Sequence, residues 1–261
     1  MSNTAAWAKQ VMALPTDAAR CVVEFAYHPA RYIHPERVSQ HVPDALIKAG
    51  LNSRNMSIGL LQMAGLSTWT GLDWSNVQHR LALLPLEGLQ TVAWRLGLAS
   101  VAPRLRRVIV GHEWRALSES LSADDWQWVD AWPRPMMATG GTSASASTLN
   151  RQGIGQPLNW LPMDALDVLS VSDWATHIQH WGWQVMDAAC DAMPAEIGAR
   201  LRLKLPVING LSNDPAQLAS KVKTPHPTLA LTALVAAYPS AVAQWNPSWD
   251  AMWLPEATSR Q

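Results

Sequence analysis

The chain has 261 residues, of which 48% are hydrophobic and only 15% are charged, and its 20 basic residues balance its 20 acidic ones. A neutral chain of this length can bury a substantial core, and its overall charge would not draw it to nucleic acid or to an anionic membrane. Tryptophan is unusually frequent, with 15 residues against three tyrosines and one phenylalanine. We expect most tryptophans in the core and the rest at contact surfaces, because indole combines a large apolar face with one N–H group.

The two cysteines, Cys21 and Cys190, are far apart and stand in apolar helical contexts, so we expect buried free thiols. No charged segment followed by an apolar one opens the chain, and no apolar run approaches about 18 residues. These features predict a soluble, cytoplasmic protein.

Helical patterns follow one another along the first 132 residues. A helix capped by Thr16 or Asp17 is predicted to run to Tyr27. Its buried face is indicated by apolar residues three to four positions apart: Ala18, Cys21, Val22 and Phe25. Prolines in first turns and glycines after last turns suggest the limits of the helices that follow. Their predicted ranges are 35–50, 52–66, 73–84, 85–97 and 104–120.

The composition changes sharply between residues 133 and 157. The stretch 140–148, GGTSASAST, has almost no side chain to bury, so residues 133–157 are predicted to form a flexible insert. Before it, Ser122 and Asp125 form a capping-box pattern. After it, helices are predicted from 164, over 172–191, over 195–204 and over 228–238. The chain is therefore predicted to be an all-α, compact protein of roughly ten helices, with regions 1–132 and 158–261 packed as one domain.

The motifs that could carry chemistry are weak. His177 and His180 share a helix face, but they lack the glutamate of a zinc-protease motif and have no further ligand nearby. The glycine pair at 140–141 is followed by no P-loop lysine and preceded by no strand. No nucleophile stands beside a base in a recognisable pattern. We therefore expect no catalytic, cofactor-binding or metal-binding residue.

Two candidate contact surfaces stand out. Arg104, Arg106 and Arg107 lie in the first turns of the predicted 104–120 helix, where their charge opposes the helix dipole. Such a cluster is either a solvated face with acidic neighbours or a surface that binds carboxylates of a partner. The second candidate surface is rich in tryptophan, a residue that dominates interface energetics. It comprises Trp126, Trp128 and Trp132.

Residues 24–37, EFAYHPARYIHPER, hold the single phenylalanine, two tyrosines and two X-Pro steps. Because each proline pushes the histidine before it out of the α region, the segment should leave a helix after Tyr27, run extended, and begin another helix at Pro35. We call this segment the elbow and expect Tyr32 and His34 to pack into the helical core. Its predicted structural residues are Phe25, Tyr27, Pro29, Arg31, Tyr32, His34 and Pro35.

Three segments resemble, in order, motifs of the SctK family (the YscK, PscK, MxiK and OrgA type, with Hrp-type relatives), an accessory subunit of bacterial type III secretion. The elbow is similar to F-x-P-x-x-Y-I-H-P-x-R, with the first proline displaced to Pro29. Residues 105–117, LRRVIVGHEWRAL, are similar to L-R-x-x-I-x-G-x-x-V-x-x-L. Residues 201–206, LRLKLP, are similar to a late R-L-x-L-K-L-P stretch. The insert and the tryptophan content depart from the family pattern.

The resemblance implies a cytoplasmic, mostly helical adaptor without cofactor or enzymatic activity. It would link the cytoplasmic domain of an SctD-like inner-membrane ring protein to an SctQ-like pod protein, in the sorting platform below the injectisome. Two other classes stay open on the residues alone: a metal- or small-ligand-binding helical protein with His- and Trp-lined pockets, and an enzyme whose site is assembled from scattered residues. Metal analysis would test the former, and neighbouring genes for a secretion ATPase or ring subunits would test both.

Overall fold

A computed structural model of the chain describes residues 3–41, 44–48, 54–66, 71–106, 115, 119–132, 174–208 and 225–253. Within these ranges the chain is helical and contains no strand, which confirms the predicted all-α class. The helices are α1 Asn3–Met12, α2 Thr16–Tyr27, α3 Pro35–His41, α4 Asp44–Lys48, α5 Arg54–Met63, α6 Val77–Leu83, α7 Leu86–Leu105, α8 Ala123–Ala131, α9 Trp174–Cys190, α10 Ala195–Lys204 and α11 Pro227–Trp245, with 3-10 helices at Pro29–Arg31 and Asp250–Trp253. None of these described helices is both long and apolar enough to cross a membrane.

The chain divides into two compact units. Unit 1 comprises Met1–Thr91, Met193–Val207 and Tyr238–Gln261, and unit 2 comprises Val92–Ala192 and Ile208–Ala237. The predicted insert 133–157 and the helix predicted from residue 164 lie outside the described residues. The predicted boundaries of the N- and C-terminal regions therefore stay predictions.

The helix predicted to end at Tyr27 is α2, but its N-cap is Pro15 and no side chain caps it, so the predicted cap by Thr16 or Asp17 is wrong. The elbow that follows is not extended throughout. A 3-10 turn begins at Pro29, because the fixed φ of proline suits the first position of a helical turn. The Pro29 side chain is buried. Helix α3 then begins at Pro35, as predicted.

Helix α7 continues through Gly97, where the sequence predicts its end. A Cβ atom on Gly97 would lie 1.8 Å from the carbonyl oxygen of Ile178 in α9, and one on Gly182 would lie 1.7 Å from that of Ala93. Within unit 2, α7 and α9 therefore touch backbone to backbone at two glycines. These glycines permit close helix packing and do not cap a helix.

Three other predicted helix boundaries are wrong. Pro103 lies in the last turn of α7 and does not begin a new helix, and α11 runs through Pro239 to Trp245. Pro239 is exposed, so the carbonyl group that loses its helical partner there can be hydrated. The helix predicted from Asp73 is α6, which begins only at Val77 and is capped by Asn76, whose side chain accepts the Gln78 N–H. Asp73 instead accepts bonds from Ser75 in the preceding turn.

Both cysteines are free thiols, as predicted. Cys190 is buried in α9, and its thiol donates to the carbonyl oxygen of Met186 at 3.2 Å. Cys21 is only half-buried in α2, and burial raises the pKa of its thiol. Each thiol thus belongs to the packing of its own helix.

Candidate partner-binding surfaces

The elbow and residues 201–206, two of the segments that carry the family resemblance, are in contact in unit 1. The backbone N–H of His34 donates to the carbonyl oxygen of Leu203 at 2.7 Å. The Nε of Arg37 donates to the carbonyl oxygen of Leu205 at 2.7 Å, across 168 positions of sequence. Two further bonds continue this contact: Arg37 Nη2 to the Pro206 oxygen at 3.2 Å, and the Val207 N–H to the Glu36 carboxylate at 2.9 Å. The two motifs thus form one structural element.

A buried arginine of α10 holds the end of α2. Arg200 is 0% exposed, and its Nη1 donates to the carbonyl oxygens of Phe25 and Ala26 at 3.0 and 3.2 Å. The last carbonyl groups of a helix have no partner within it and carry the negative end of the helix dipole. Glu196, one turn earlier, lies 3.6 Å from the Nε of Arg200. Arg200 therefore caps α2 from inside the core.

Lys204, one turn later in α10, caps α6 in the same manner. Its Nζ donates to the carbonyl oxygens of Ala82 and Leu84 at 2.7 and 2.9 Å. The same nitrogen lies 5.1 Å from the ring centre of Phe25 and 5.0 Å from that of Tyr32, in cation–π contact with both. Because burial disfavours the charged form, the pKa of Lys204 is lowered to about 7.

Tyr32 joins the elbow to the core. Its ring stacks on Phe25 with a centroid distance of 5.7 Å, and its hydroxyl donates to the Phe25 carbonyl oxygen at 3.1 Å. The side chain is half-buried against the cluster of Ile33, Met56 and Leu203, and burial raises the pKa of Tyr32 to about 12. The aromatic corner expected of the elbow is thus built around the two buried cations of α10.

The other elbow side chains differ in exposure. Tyr27 packs edge-on against Trp7, with ring centres 5.8 Å apart. The side chain of His34 is 16% exposed, and burial lowers its pKa. Arg31 is exposed and pairs with Glu24 at 2.6 Å. The elbow therefore presents an ion pair to solvent while its aromatic rings face inward.

In unit 2, the capping box predicted at the start of α8 is present. The Ser122 hydroxyl accepts the Asp125 N–H at 3.2 Å, and the Asp125 carboxylate accepts the Ser122 N–H at 3.0 Å. The Asp125 carboxylate also accepts the indole N–H of Trp94 at 3.0 Å and pairs with Arg95 at 3.2 Å. One buried carboxylate therefore caps α8 and joins it to α7.

Arg106 is the member of the predicted basic cluster whose side chain the structure describes. Its Nη2 donates to the carbonyl oxygen of Val129 and, at 2.6 Å, to that of Trp132, so it caps the end of α8. The side chains of Arg104 and Arg107 lie outside the described residues. The predicted role of the three arginines in binding a partner stays a prediction.

The predicted Trp-rich surface lies on α8 and at its C-terminal end. The rings of Trp128 and Trp132 are 4.7 Å apart, and the guanidinium of Arg95 lies 5.4 Å from the centre of the Trp128 ring. Trp126, Trp128 and Trp132 are all half-buried. Each keeps exposed area, which contact with a partner requires, and their predicted role stays a prediction.

The two histidines weighed as metal ligands belong to the packing of α9. The His177 ring lies 5.7 Å from that of Trp181, and Nε2 of His180 lies 3.0 Å from the Gln184 amide nitrogen. Burial and the nearby His177 lower the pKa of His180. No group of three or more His, Cys, Asp or Glu side chains in the described ranges could hold a metal ion.

Arg200 and Lys204 are not among the site residues predicted from the sequence. Their signal is a pair of cations four positions apart on a helix, with leucine at positions 201, 203 and 205. A cation that shares a helix face with core residues must find buried acceptors, because an unpaired buried charge is costly. The sequence does not show which carbonyl groups supply them.

Comparison with protein families gives a match to the first half of the chain. Residues 21–133 match the family described as YOP proteins translocation protein K (YscK). No curated protein and no solved structure matches the chain. The matched residues include the elbow and α8, whereas residues 201–206, which hold the elbow in place, lie beyond them. The match confirms the predicted resemblance: residues 21–133 are similar to the YscK (SctK) family of type III secretion proteins.

Proposed function

We propose that this protein is a non-enzymatic adaptor in the cytoplasmic sorting platform of a type III secretion system. It links the cytoplasmic domain of an SctD-like ring protein to an SctQ-like pod protein. The observation that carries this proposal is the match of residues 21–133 to the YscK family. The match supports the assignment of the protein to the secretion apparatus. The adaptor role between two named partners goes beyond the match and is our proposal.

The described residues offer support of a second kind. An adaptor must hold contact surfaces in a fixed geometry, because side chains that are ordered only on binding cost affinity. In unit 1, buried Arg200 and Lys204 fix the elbow to α10. In unit 2, the half-buried Trp128 contacts both the ring of Trp132 and the guanidinium of Arg95. A pre-ordered, partly exposed tryptophan is the kind of residue that dominates binding energy at interfaces.

The proposal is tested by binding. The purified chain is mixed with the pod protein and with the cytoplasmic domain of the ring protein from the same secretion system. We expect it to bind each one and to capture both in one complex. Binding of neither partner by the folded wild type would overturn the adaptor role.

A variant locates one contact. Trp128→Ala should weaken one partner by roughly tenfold while the other is unaffected, as expected for an interface anchor. Met12→Ala is the matched control, since Met12 is a large apolar side chain that is 78% exposed in unit 1. Unchanged binding of both partners by Trp128→Ala would remove the α8 tryptophans from the interface and leave the adaptor role standing.

A further inference from the structure

Unit 1 contains a cleft of about 640 Å³ beside the elbow. We call it the elbow cleft. Its walls come from α2, the elbow, the first turn of α7 and the residues that follow α11, and Lys204 lies at its base. Its lining residues include Glu24, Arg31, Glu87, Trp245 and Lys204. A volume of this size holds several side chains or one small ligand, within the range of about 300–1,000 Å³ for binding pockets.

The cations of the elbow cleft are already matched. Arg20 pairs with Asp17 at 3.7 Å, and Arg31 pairs with Glu24 at 2.6 Å. The ammonium of Lys204 is buried and already donates to two carbonyl oxygens at the end of α6. A negatively charged ligand would therefore have to break existing pairs.

One carboxylate of the cleft is not matched. Glu87 lies in the first turn of α7, is exposed, and forms no ion pair with any residue that the structure describes. The indole of Trp245 lines the same cleft and packs against the adjoining Gly88, where a Cβ would lie 3.2 Å from the Trp245 ring. Trp249, 5.5 Å away and edge-on, fixes the orientation of that indole. A carboxylate next to an ordered aromatic face is the arrangement that binds a cation.

We propose that the elbow cleft binds a basic side chain of a partner protein, with an arginine guanidinium placed between the Glu87 carboxylate and the Trp245 indole. Arginine fits better than lysine because its planar group stacks on an aromatic face while it donates to a carboxylate. The choice of a protein as the occupant rests on the proposed adaptor function.

The architecture of the cleft agrees with a protein occupant. Its lining combines apolar Leu86 and Met252 and two tryptophans with the solvent-accessible Arg20–Asp17 and Arg31–Glu24 pairs. An apolar centre with a polar, solvent-accessible rim is typical of protein interfaces, in which tryptophan and arginine are enriched. The elbow cleft and the α8 surface would then serve different contacts.

The test compares Glu87→Gln and Glu87→Lys with Asp44→Asn. Asp44 is the matched control, because it is likewise an exposed carboxylate in the first turn of a helix. Dissociation constants are measured for the pod protein and for the ring-protein domain. We expect Glu87→Gln to weaken one of them by roughly fivefold and Glu87→Lys to weaken it further, with Asp44→Asn unchanged. Wild-type affinity of both Glu87 variants for both partners would overturn the cleft proposal and leave the adaptor role intact.

A second measurement is independent of the adaptor role. The peptides acetyl-Leu-Arg-Leu-amide and acetyl-Leu-Gln-Leu-amide are titrated into the labelled chain, and the indole N–H signal of Trp245 is followed by NMR after assignment with Trp245→Phe. The arginine peptide should shift this signal in the wild type and much less in Glu87→Lys, whereas the glutamine peptide should not. Equal responses to the two peptides, or no response to either, would overturn the proposal even if both partner proteins bind.

Discussion

The elbow in unit 1 and helix α8 in unit 2 use the same device at different depths. At the elbow, Arg200 and Lys204 are 0% and 4% exposed and donate to the last carbonyl groups of α2 and α6. At α8, Arg106 donates to the carbonyl groups at the end of the helix but is only half-buried. Water cannot replace the partners of Arg200 and Lys204, because both side chains are buried. It can replace those of Arg106, which is half-buried. The elbow should therefore govern stability, and the end of α8 can exchange its contacts with those of a partner.

The largest effect is expected at Arg200. Arg200→Met removes the donor to the Phe25 and Ala26 carbonyl groups and leaves both without that donor in the core. Loss of one member of such a buried charged contact costs about 3–5 kcal/mol. The measurement is the free energy of unfolding in urea. A loss below about 1 kcal/mol would mean that the elbow is not held from α10, and the contrast between the two regions would fail.

Two substitutions of Tyr32 separate the contributions that packing and hydrogen bonding at the elbow make to the free energy of unfolding. Tyr32→Ala should cost about 2–4 kcal/mol, since it removes a ring stacked on Phe25 and in contact with the Lys204 ammonium. Tyr32→Phe keeps the ring and removes only the bond to the Phe25 carbonyl oxygen, so it should cost about 1 kcal/mol. If Tyr32→Ala leaves the thermal midpoint unchanged and abolishes partner binding, the elbow ring is a contact surface and its assignment to the core is wrong.

The elbow also shows which structural features can be predicted from the sequence and which cannot. Local rules locate it correctly: the end of α2 at Tyr27 and the start of α3 at Pro35 follow from the X-Pro steps. What closes it lies 168 positions away, where Arg37 meets the carbonyl oxygen of Leu205. Local propensity carries no information about such a pairing. Only the family resemblance singled out both segments, and it did not show that they are in contact.

Glycine and proline mislead the sequence analysis where tertiary packing overrides their local preference. Gly97 reads as a helix end, yet it lies inside α7 because Ile178 of α9 approaches it closely. Pro103 reads as a helix start, yet α7 accommodates it in its last turn, where a missing N–H bond affects few following residues. A glycine is tolerated inside a helix where a neighbouring helix leaves no room for a side chain. A proline is tolerated where the helix is about to end.

Lys204 makes the elbow sensitive to pH. The unfolded chain keeps the Lys204 proton up to its ordinary pKa of 10.5, whereas the folded protein loses it above about pH 7. Unfolding between these values therefore takes up a proton, so the folded state becomes more stable as the pH rises. From pH 7 to pH 9 the gain is about 2 kcal/mol. Urea unfolding across this range should show the rise in the wild type and not in Lys204→Met.

Other titrating groups fall outside this window. The lowered pKa values of the half-buried or buried histidines confine their contribution to pH values below the ordinary 6.5: His34, His79 and His180. The thiol of Cys21, whose pKa is raised above 9.0, begins to oppose the gain as the pH approaches 9, because the unfolded thiol ionises there before the folded one does. A flat profile between pH 7 and pH 9 would show that Lys204 stays charged in the folded protein, held by the Phe25 and Tyr32 rings. An equal rise in Lys204→Met would assign the proton to another group.

The smallest effect on stability is expected at Arg106, because this capping arginine is less buried than Arg200 and Lys204. Arg106→Gln removes the charged donor to the Val129 and Trp132 carbonyl groups, but water reaches this half-buried site and replaces part of what is lost. The cost should be about 1 kcal/mol, against the larger loss at Arg200. Arg104→Glu combined with Arg107→Glu should instead weaken the binding of one partner, more at low salt than at high salt, because salt screens the attraction between charges of two proteins. If Arg106→Gln destabilises the chain as much as Arg200→Met, the cap of α8 is as structural as the elbow; if it leaves stability unchanged and abolishes binding, Arg106 exchanges its carbonyl partners for those of the bound protein.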